Sequence, residues 1–118
     1  MNDIVTLQAG PACLRIAPLL GGRITRCELA GADGRARPVL QPYPEAHTDL
    51  DNWGKGGLYP LVPYNGRIRE AAVMHEGRAW PLRPHAGSPH ALHGIAQRRA
   101  WTLEEAGPAT ARLAYRHS

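Results

Sequence analysis

Residues 57–69 read Gly-Leu-Tyr-Pro-Leu-Val-Pro-Tyr-Asn-Gly-Arg-Ile-Arg, and this stretch is the most informative part of the chain for its fold. Apolar side chains recur along residues 58–64 with the spacing of a β-strand. Pro60 and Pro63 lack a backbone donor, so a strand here is predicted at a sheet edge, or the segment is simply extended. The stretch therefore favours a β fold.

Short alternating patterns and turn residues continue on both sides of this stretch. Strands are predicted at residues 4–7, 12–16, 23–29, 68–74, 79–82, 101–104 and 109–115. Gly21-Gly22 connects two of them, residues 31–34 reverse the chain before a strand at 38–40, and residues 75–78 form a hairpin turn. Because no segment has the pattern of an amphipathic helix, the prediction is an all-β fold that begins with a meander.

The composition agrees with this fold and excludes several functions. The chain has 11 Pro and 13 Gly, too many for a helical bundle. Its length of 118 residues indicates a single domain. The net charge is +4, but the basic residues are scattered, with Arg98-Arg99 one of two close pairs, so nucleic-acid binding is not expected. No apolar run is long enough to span a membrane, and a soluble cytoplasmic protein is the default expectation.

Cys13 and Cys27 are too few for a disulfide scaffold and lack zinc-ligand spacing, so they are predicted to be small, mostly buried thiols. Residues 41–57 lose all periodicity and are rich in Pro, Gly, Asp and Asn. A loop of this length in a compact domain is usually functional or mobile.

Two segments resemble signatures of the aldose 1-epimerase (galactose mutarotase) family. The first is residues 57–69, and the second is His90-Ala91-Leu92-His93-Gly94, followed by Trp101. The resemblance implies an all-β galactose mutarotase-like sandwich. Family members are much longer, so residues 1–118 are expected to be the amino-terminal portion of one sandwich domain, incomplete in this chain. The strand pattern runs almost to Ser118, which predicts an exposed sheet edge and self-association through it.

The resemblance also implies an activity, the interconversion of the α and β anomers of free aldoses, which requires one group to donate a proton and another to remove one. It makes His93 a catalytic residue that binds the sugar near its ring oxygen, and Arg67 a donor to sugar hydroxyls. Asn65 is expected to bind substrate as well, although the family usually has Asn directly before the arginine, where this chain has Gly66. Neither a metal nor another cofactor is expected, and the partner is a monosaccharide.

Each of these residues also has a purely structural interpretation. His93 would cap a tight turn, and Arg67 would form a surface ion pair with Glu70 or Glu76. Aromatic residues Tyr59, Tyr64 and Trp101 could stack on a sugar face, but they are expected in the core or at its rim. A metal site at His85, His90 and His93 is disfavoured because no orienting carboxylate lies near them in sequence.

In the family a second histidine is the general acid and a late glutamate is the general base, and no residue here matches either. We therefore expect little or no activity from this chain alone. The alternative is a non-catalytic carbohydrate-binding β-sandwich. An epimerase specific for phosphosugars, with Arg98-Arg99 contacting the phosphate, is a third interpretation.

Overall fold

The computed structural model describes residues 4–52 and 55–118. Its strands are β1 (Val5–Ala9), β2 (Ala12–Ala17), β3 (Arg23–Ala30), β4 (Ala36–Pro38), β5 (Arg67–Ile68), β6 (Ala72–His75), β7 (Arg78–Pro81), β8 (Ala91–Leu92), β9 (Thr102–Ala106) and β10 (Ala111–Ala114). Strands β1 to β4 form one antiparallel sheet in chain order, which confirms the predicted meander. The fourth strand begins earlier than the predicted residues 38–40, since Ala36 already pairs with Ala30.

Gly21 makes the connection between β2 and β3. A single 3₁₀ turn, Pro18–Leu20, precedes it, and Gly21 ends that turn with a φ of 79°. A Cβ at this position would lie 2.1 Å from the carbonyl oxygen of Gln97, so only glycine lets the two backbones approach this closely. The close approach fixes the turn before Trp101 against the first sheet.

Residues 58–64, predicted as an edge strand or an extended segment, form two isolated bridges instead of a continuous strand and join two parts of the fold. Leu58 exchanges two backbone hydrogen bonds with Ile24 of β3, at 2.8 and 2.9 Å. Val62 forms a parallel bridge with Gly94, just after β8. The segment therefore connects the meander to the short ladder formed by β5 and β8.

The predicted strand at residues 68–74 is wrong in its middle. Residues Arg69–Ala71 form a 3₁₀ turn, in which Glu70 and Ala71 have φ values of 54° and 50°. This turn lets the chain leave the β5–β8 ladder and start the β6–β7 hairpin. The hairpin itself is confirmed, with its reversal at Glu76-Gly77 between His75 and Arg78.

The described part of the loop at residues 41–57 is anchored to the meander. Tyr43 is buried and donates its backbone N–H to the carbonyl of Thr25 at 2.8 Å. Glu45 accepts two hydrogen bonds from the Arg15 guanidinium, at 2.7 and 2.8 Å. The small core of Ala17, Leu20 and Tyr43 lies beneath this loop. Cys13 and Cys27 lie on β2 and β3 as free thiols and are partly buried, in agreement with the prediction.

The chain exposes more surface than a compact protein of its size. Its accessible surface is 7761 Å², whereas a compact chain of 12.8 kDa exposes roughly 6,300 Å². Large apolar side chains contribute to the excess, among them Leu58, Met74 and Trp80. The architecture is that of an incomplete β-sandwich, as predicted. Within the described ranges, no helix has the length and apolar character needed to cross a membrane.

Candidate functional site

Strands β5 and β8 place Arg67 and His93 next to each other. Arg67 pairs with Leu92 in the antiparallel register, so His93 follows directly on the neighbouring strand. His93 donates its backbone N–H to the carbonyl of Gly66 at 2.9 Å, and Gly66 donates its N–H to His93 Nδ1, also at 2.9 Å. Two residues that are 26 positions apart in the sequence are thus held together by the ladder and by this reciprocal pair of hydrogen bonds.

The backbone at His93 is held in a strained conformation. Its φ is 59°, in the left-handed region that non-glycine residues seldom adopt. Gly94 follows with a φ of 67°, and a Cβ there would lie 2.1 Å from the carbonyl oxygen of Val62. Such strain is maintained only where the surrounding structure enforces it, and it concentrates at functional sites. The strained backbone of this turn fixes the orientation of the imidazole, which an unstrained loop would not do.

His93 is a neutral imidazole with a defined proton position. Because its Nδ1 accepts the Gly66 N–H, its proton must be on Nε2. Burial lowers the pKa of His93, and the nearby cationic Arg67 lowers it further. At neutral pH the ring is therefore uncharged and presents an N–H donor. The interpretation of His93 as a residue that caps the turn is therefore correct for Nδ1, and Nε2–H is the ring's hydrogen-bond donor.

Aromatic side chains lie beside the site. The rings of Tyr59 and His93 meet edge to face, with centroids 6.5 Å apart. Tyr59 also stacks with Arg23, whose Cζ lies 4.3 Å from the centroid of the tyrosine ring. Trp101 is half-buried and donates its indole N–H to the Ala96 carbonyl at 2.8 Å. Trp101 thus lies at the rim of the fold, as expected, and supports the segment that follows His93.

Arg67 and Asn65 are both exposed at this edge. Among the ion pairs of residues 4–52 and 55–118, none joins Arg67 to Glu70 or Glu76, so the ion-pair interpretation of Arg67 is wrong. Glu76 instead lies 3.8 Å from His75. Asn65 is brought to the same turn by its position in the chain.

Sequence reasoning considered His85 as a metal ligand and Arg98 as a contact to a phosphate, but it did not link the two residues to each other. Arg98 is only 6% exposed and places its Nη2 2.9 Å from His85 Nδ1. Arg83, nearby, binds Asp51 at 2.7 Å. No spacing rule links positions 13 residues apart across a turn, so the signal was limited to the histidine and arginine content of residues 83–99. In the described ranges, no three His, Cys, Asp or Glu residues are placed to hold a metal ion.

A cavity of about 400 Å³ elsewhere in the molecule has a structural explanation. It lies over β2 and β3, and its lining includes Arg15, Thr25 and Glu45. Glu45 Oε1 accepts from both of the other side chains, at 2.7 and 2.8 Å. The polar groups of this cavity bind one another and hold Glu45, in the described part of the loop, against β2 and β3.

Solved structures with this fold come from three organisms. A protein from Escherichia coli K12 assigned as an aldose 1-epimerase is 24% identical, with a TM-score of 0.79 over 100% of this chain and 38% of that one. A GalM/aldose epimerase homologue from C. elegans is 15% identical, with a TM-score of 0.75 over 96% and 35% of the two chains. A protein from Synechocystis sp. PCC 6803 is 23% identical, with a TM-score of 0.69 over 96% and 36%.

These likenesses establish the fold, and the chain spans little more than a third of each of these structures. Among curated proteins, none matches the sequence. The family model for aldose 1-epimerase, however, matches residues 3–118, which is nearly the whole chain. By this match, the chain belongs to the aldose 1-epimerase family.

Proposed function

We propose that this chain forms part of an aldose 1-epimerase-like isomerase that interconverts the α and β anomers of free aldoses. The observation that carries the proposal is the reciprocal hydrogen bonding of Gly66 and His93, which places His93 beside Arg67. Membership of the family makes a sugar the expected ligand. Arg67, Asn65 and His93 are the proposed substrate-binding residues, and His93 is the proposed catalytic one.

In this proposal His93 donates its Nε2–H to the sugar near the ring oxygen, where negative charge develops as the ring opens. Arg67 donates to sugar hydroxyls through its fixed fork of N–H groups. Neither group can remove the proton from the C1 hydroxyl, because a guanidinium has no acceptor and the imidazole lone pair on Nδ1 is already used. Proton transfer of this kind requires neither a metal nor an organic cofactor.

We further propose that the chain alone is weakly active or inactive. The family's general acid, a second histidine, and its general base, a late glutamate, have no counterpart among the motifs of this chain. We also propose a cytoplasmic location and self-association through exposed strand edges. Within the described residues, β9 and β10 form a two-stranded ladder with open edges, consistent with that association.

Polarimetry of freshly dissolved α-D-glucose or α-D-galactose tests the activity. We expect the rate with this chain to stay close to the uncatalysed rate. Ligand-observed NMR with the same sugars tests binding, and we expect weak binding that His93→Asn and Arg67→Met both reduce. A large catalysed rate would contradict the inactivity of the chain, and binding unaffected by both substitutions would contradict the site.

A second candidate function is carbohydrate binding without catalysis. It is favoured by the donor character of Arg67 and His93, which suits recognition of sugar oxygens and leaves proton removal without an assigned group. The two functions separate on one comparison. Fusion to the part of the Escherichia coli relative that this chain does not cover would produce a mutarotation rate if the isomerase proposal holds, and binding alone if it does not.

A further inference from the structure

Arg23 is the first residue of β3, and its side chain is completely buried. Its guanidinium lies between two tyrosine rings, with Cζ 4.2 Å from the ring centroid of Tyr43 and 4.3 Å from that of Tyr59. Its Nη1 also donates to the carbonyl oxygen of Gly56 at 3.1 Å. Because a desolvated cation is attracted to the face of an aromatic ring, both rings are held against the guanidinium.

The backbone pairing explains why Arg23 meets Tyr59. Leu58 and Ile24 form an antiparallel bridge and exchange two hydrogen bonds, at 2.8 and 2.9 Å. Residues on either side of such a bridge oppose one another across the two chain segments. Arg23, directly before Ile24, therefore lies opposite Tyr59, and the two side chains share one face. Their contact is thus set by the backbone as well as by the attraction between cation and ring.

The chain just before Tyr59 packs directly on the stem of Arg23. Gly57 has a φ of 73°, and a Cβ there would lie 2.5 Å from the Ile24 carbonyl oxygen and 3.1 Å from Arg23 Cγ. Its N–H donates to the carbonyl of Gln41 at 2.6 Å. Only glycine allows this close approach, which leaves the segment little freedom to move away from β3.

Tyr59 also contacts the imidazole of the proposed site. Its ring meets that of His93 edge to face, with centroids 6.5 Å apart and an angle of 67° between the planes. This distance is within the range in which aromatic pairs attract each other. The Gly66 N–H holds one atom of the imidazole, Nδ1, at 2.9 Å. A hydrogen bond to one atom leaves the ring free to tilt about it, so the tyrosine ring supplies the second contact that fixes the plane.

We propose that Arg23 is a positioning residue of the sugar site, because it holds the ring of Tyr59 and that ring fixes the plane of the His93 imidazole. What the site binds rests on the proposed function, whereas the contacts among the three side chains do not. Arg23 is completely buried, so it acts through the tyrosine ring and not on the ligand. A donor held in one orientation loses less freedom on binding, which raises the affinity for a sugar oxygen.

The test compares Arg23→Met, which removes the cation, with Tyr59→Leu, which removes the ring. Nitrogen-detected NMR of the wild-type chain should show the Nε2–H tautomer at His93, and nuclear Overhauser contacts should join its ring protons to those of Tyr59. We expect Arg23→Met to weaken these contacts and both variants to increase the Nδ1–H tautomer. Each variant should bind α-D-galactose roughly 2- to 10-fold more weakly, as for the loss of one edge-to-face pair.

Three controls separate positioning from a general loss of structure. Tyr59→Phe keeps the ring and removes only the hydroxyl, so the tautomer and the affinity should match those of the wild type. Arg26→Met removes a cation from an exposed position of the same strand and should change neither. The combined variant Arg23→Met/Tyr59→Leu should bind no more weakly than Tyr59→Leu alone, because Arg23 acts through the ring.

Arg23→Lys replaces Arg23→Met if the latter does not fold. It keeps the buried charge but lacks the flat guanidinium that stacks between the two tyrosine rings, so it should change the His93 tautomer and the galactose affinity in the same direction. Amide spectra establish that each variant is folded before its histidine ring is compared with that of the wild type.

The outcomes separate the two proposals. If His93→Asn weakens galactose binding but folded Arg23 variants and Tyr59→Leu leave the tautomer and the affinity unchanged, the positioning role is refuted and the proposed function stands. Tyr59→Phe as weak as Tyr59→Leu, or additive losses in the combined variant, also refute the positioning role. If the wild-type chain binds neither galactose nor glucose, the proposed function fails, and the ring contacts and tautomers still decide whether Arg23 fixes the His93 ring through Tyr59.

Discussion

Replacing Gly94 with alanine tests whether the backbone after His93 is as constrained as its geometry indicates. The φ of Gly94 is 67°, and a Cβ would lie 2.1 Å from the Val62 carbonyl oxygen and 2.7 Å from the Pro63 nitrogen. The left-handed conformation costs a non-glycine residue roughly 1–2 kcal/mol. Overpacking against a backbone that cannot rotate away adds about 1–3 kcal/mol. We expect Gly94→Ala to lower the free energy of unfolding by about 2–5 kcal/mol.

Gly87 supplies a matched control. Its φ is 76°, and no atom lies within 4 Å of the place where its Cβ would be. Gly87→Ala therefore has the same cost of a left-handed backbone and the same loss of conformational entropy in the unfolded chain as Gly94→Ala, but it has no steric clash. Urea unfolding of both variants measures the difference, which we expect to be about 1–3 kcal/mol. Two variants equal within the error of the measurement would refute the argument that the Val62 backbone holds the His93 turn in place.

Three further substitutions test other parts of the structure. The Arg15 guanidinium lowers the pKa of Glu45 from its usual 4.5 to about 2. This pair therefore stabilises the fold above pH 4.5 and ceases to do so as the pH falls toward 2. In Arg15→Met, the loss of unfolding free energy between pH 4.5 and pH 2 should be smaller by about 1 kcal/mol, a modest amount because both side chains are partly exposed. Arg23 is fully buried between two tyrosine rings, and Arg23→Ala should lower the free energy of unfolding by about 2–4 kcal/mol through the loss of two desolvated cation–π contacts, whereas Arg26→Ala, at an exposed neighbour, should cost far less. Gly66→Asn places a side-chain amide directly before Arg67, where the family usually has one. The φ of 76° and the open space at the Cβ of residue 66 suit Asn, so the free energy of unfolding should change by less than about 1 kcal/mol. The galactose affinity measured by NMR should rise, and an equal rise in Gly66→Ala would refute the role of the amide.

The first three strands of the meander could be predicted from the sequence because apolar residues recur along them and the turns between them have residues that accept the required backbone, whereas the fourth strand was placed two residues too late. The strand expected at residues 68–74 could not, since Glu70 and Ala71 break it with positive φ values that their side chains do not favour. That turn is imposed by the tertiary structure: His90 accepts the Glu70 N–H, and the chain must change direction between two ladders. Local pattern carries no information about a contact of this kind.

The same distinction applies to the site. Arg67 and His93 were found through motifs, because each lies in a short segment with recognisable neighbours. The contact between Arg98 and His85 was not, since it depends on a 3₁₀ turn and a closed loop that bring their side chains together. Arg23 likewise gives no signal in sequence, where an arginine in an alternating strand is predicted to face solvent, yet it is fully buried.

The residues of the proposed site are hydrogen-bond donors, and this determines which proton transfers they can perform. Arg67 can only donate, and the lone pair of His93 Nδ1 already accepts the Gly66 N–H. A sugar hydroxyl is both donor and acceptor, so in the proposed site Arg67 and His93 would donate to its oxygens, and neither has a free lone pair that could take the proton from the C1 hydroxyl. Opening a hemiacetal requires both transfers at once. An isomerase that uses the proposed site must therefore place a proton acceptor elsewhere around the sugar, because neither Arg67 nor His93 provides one.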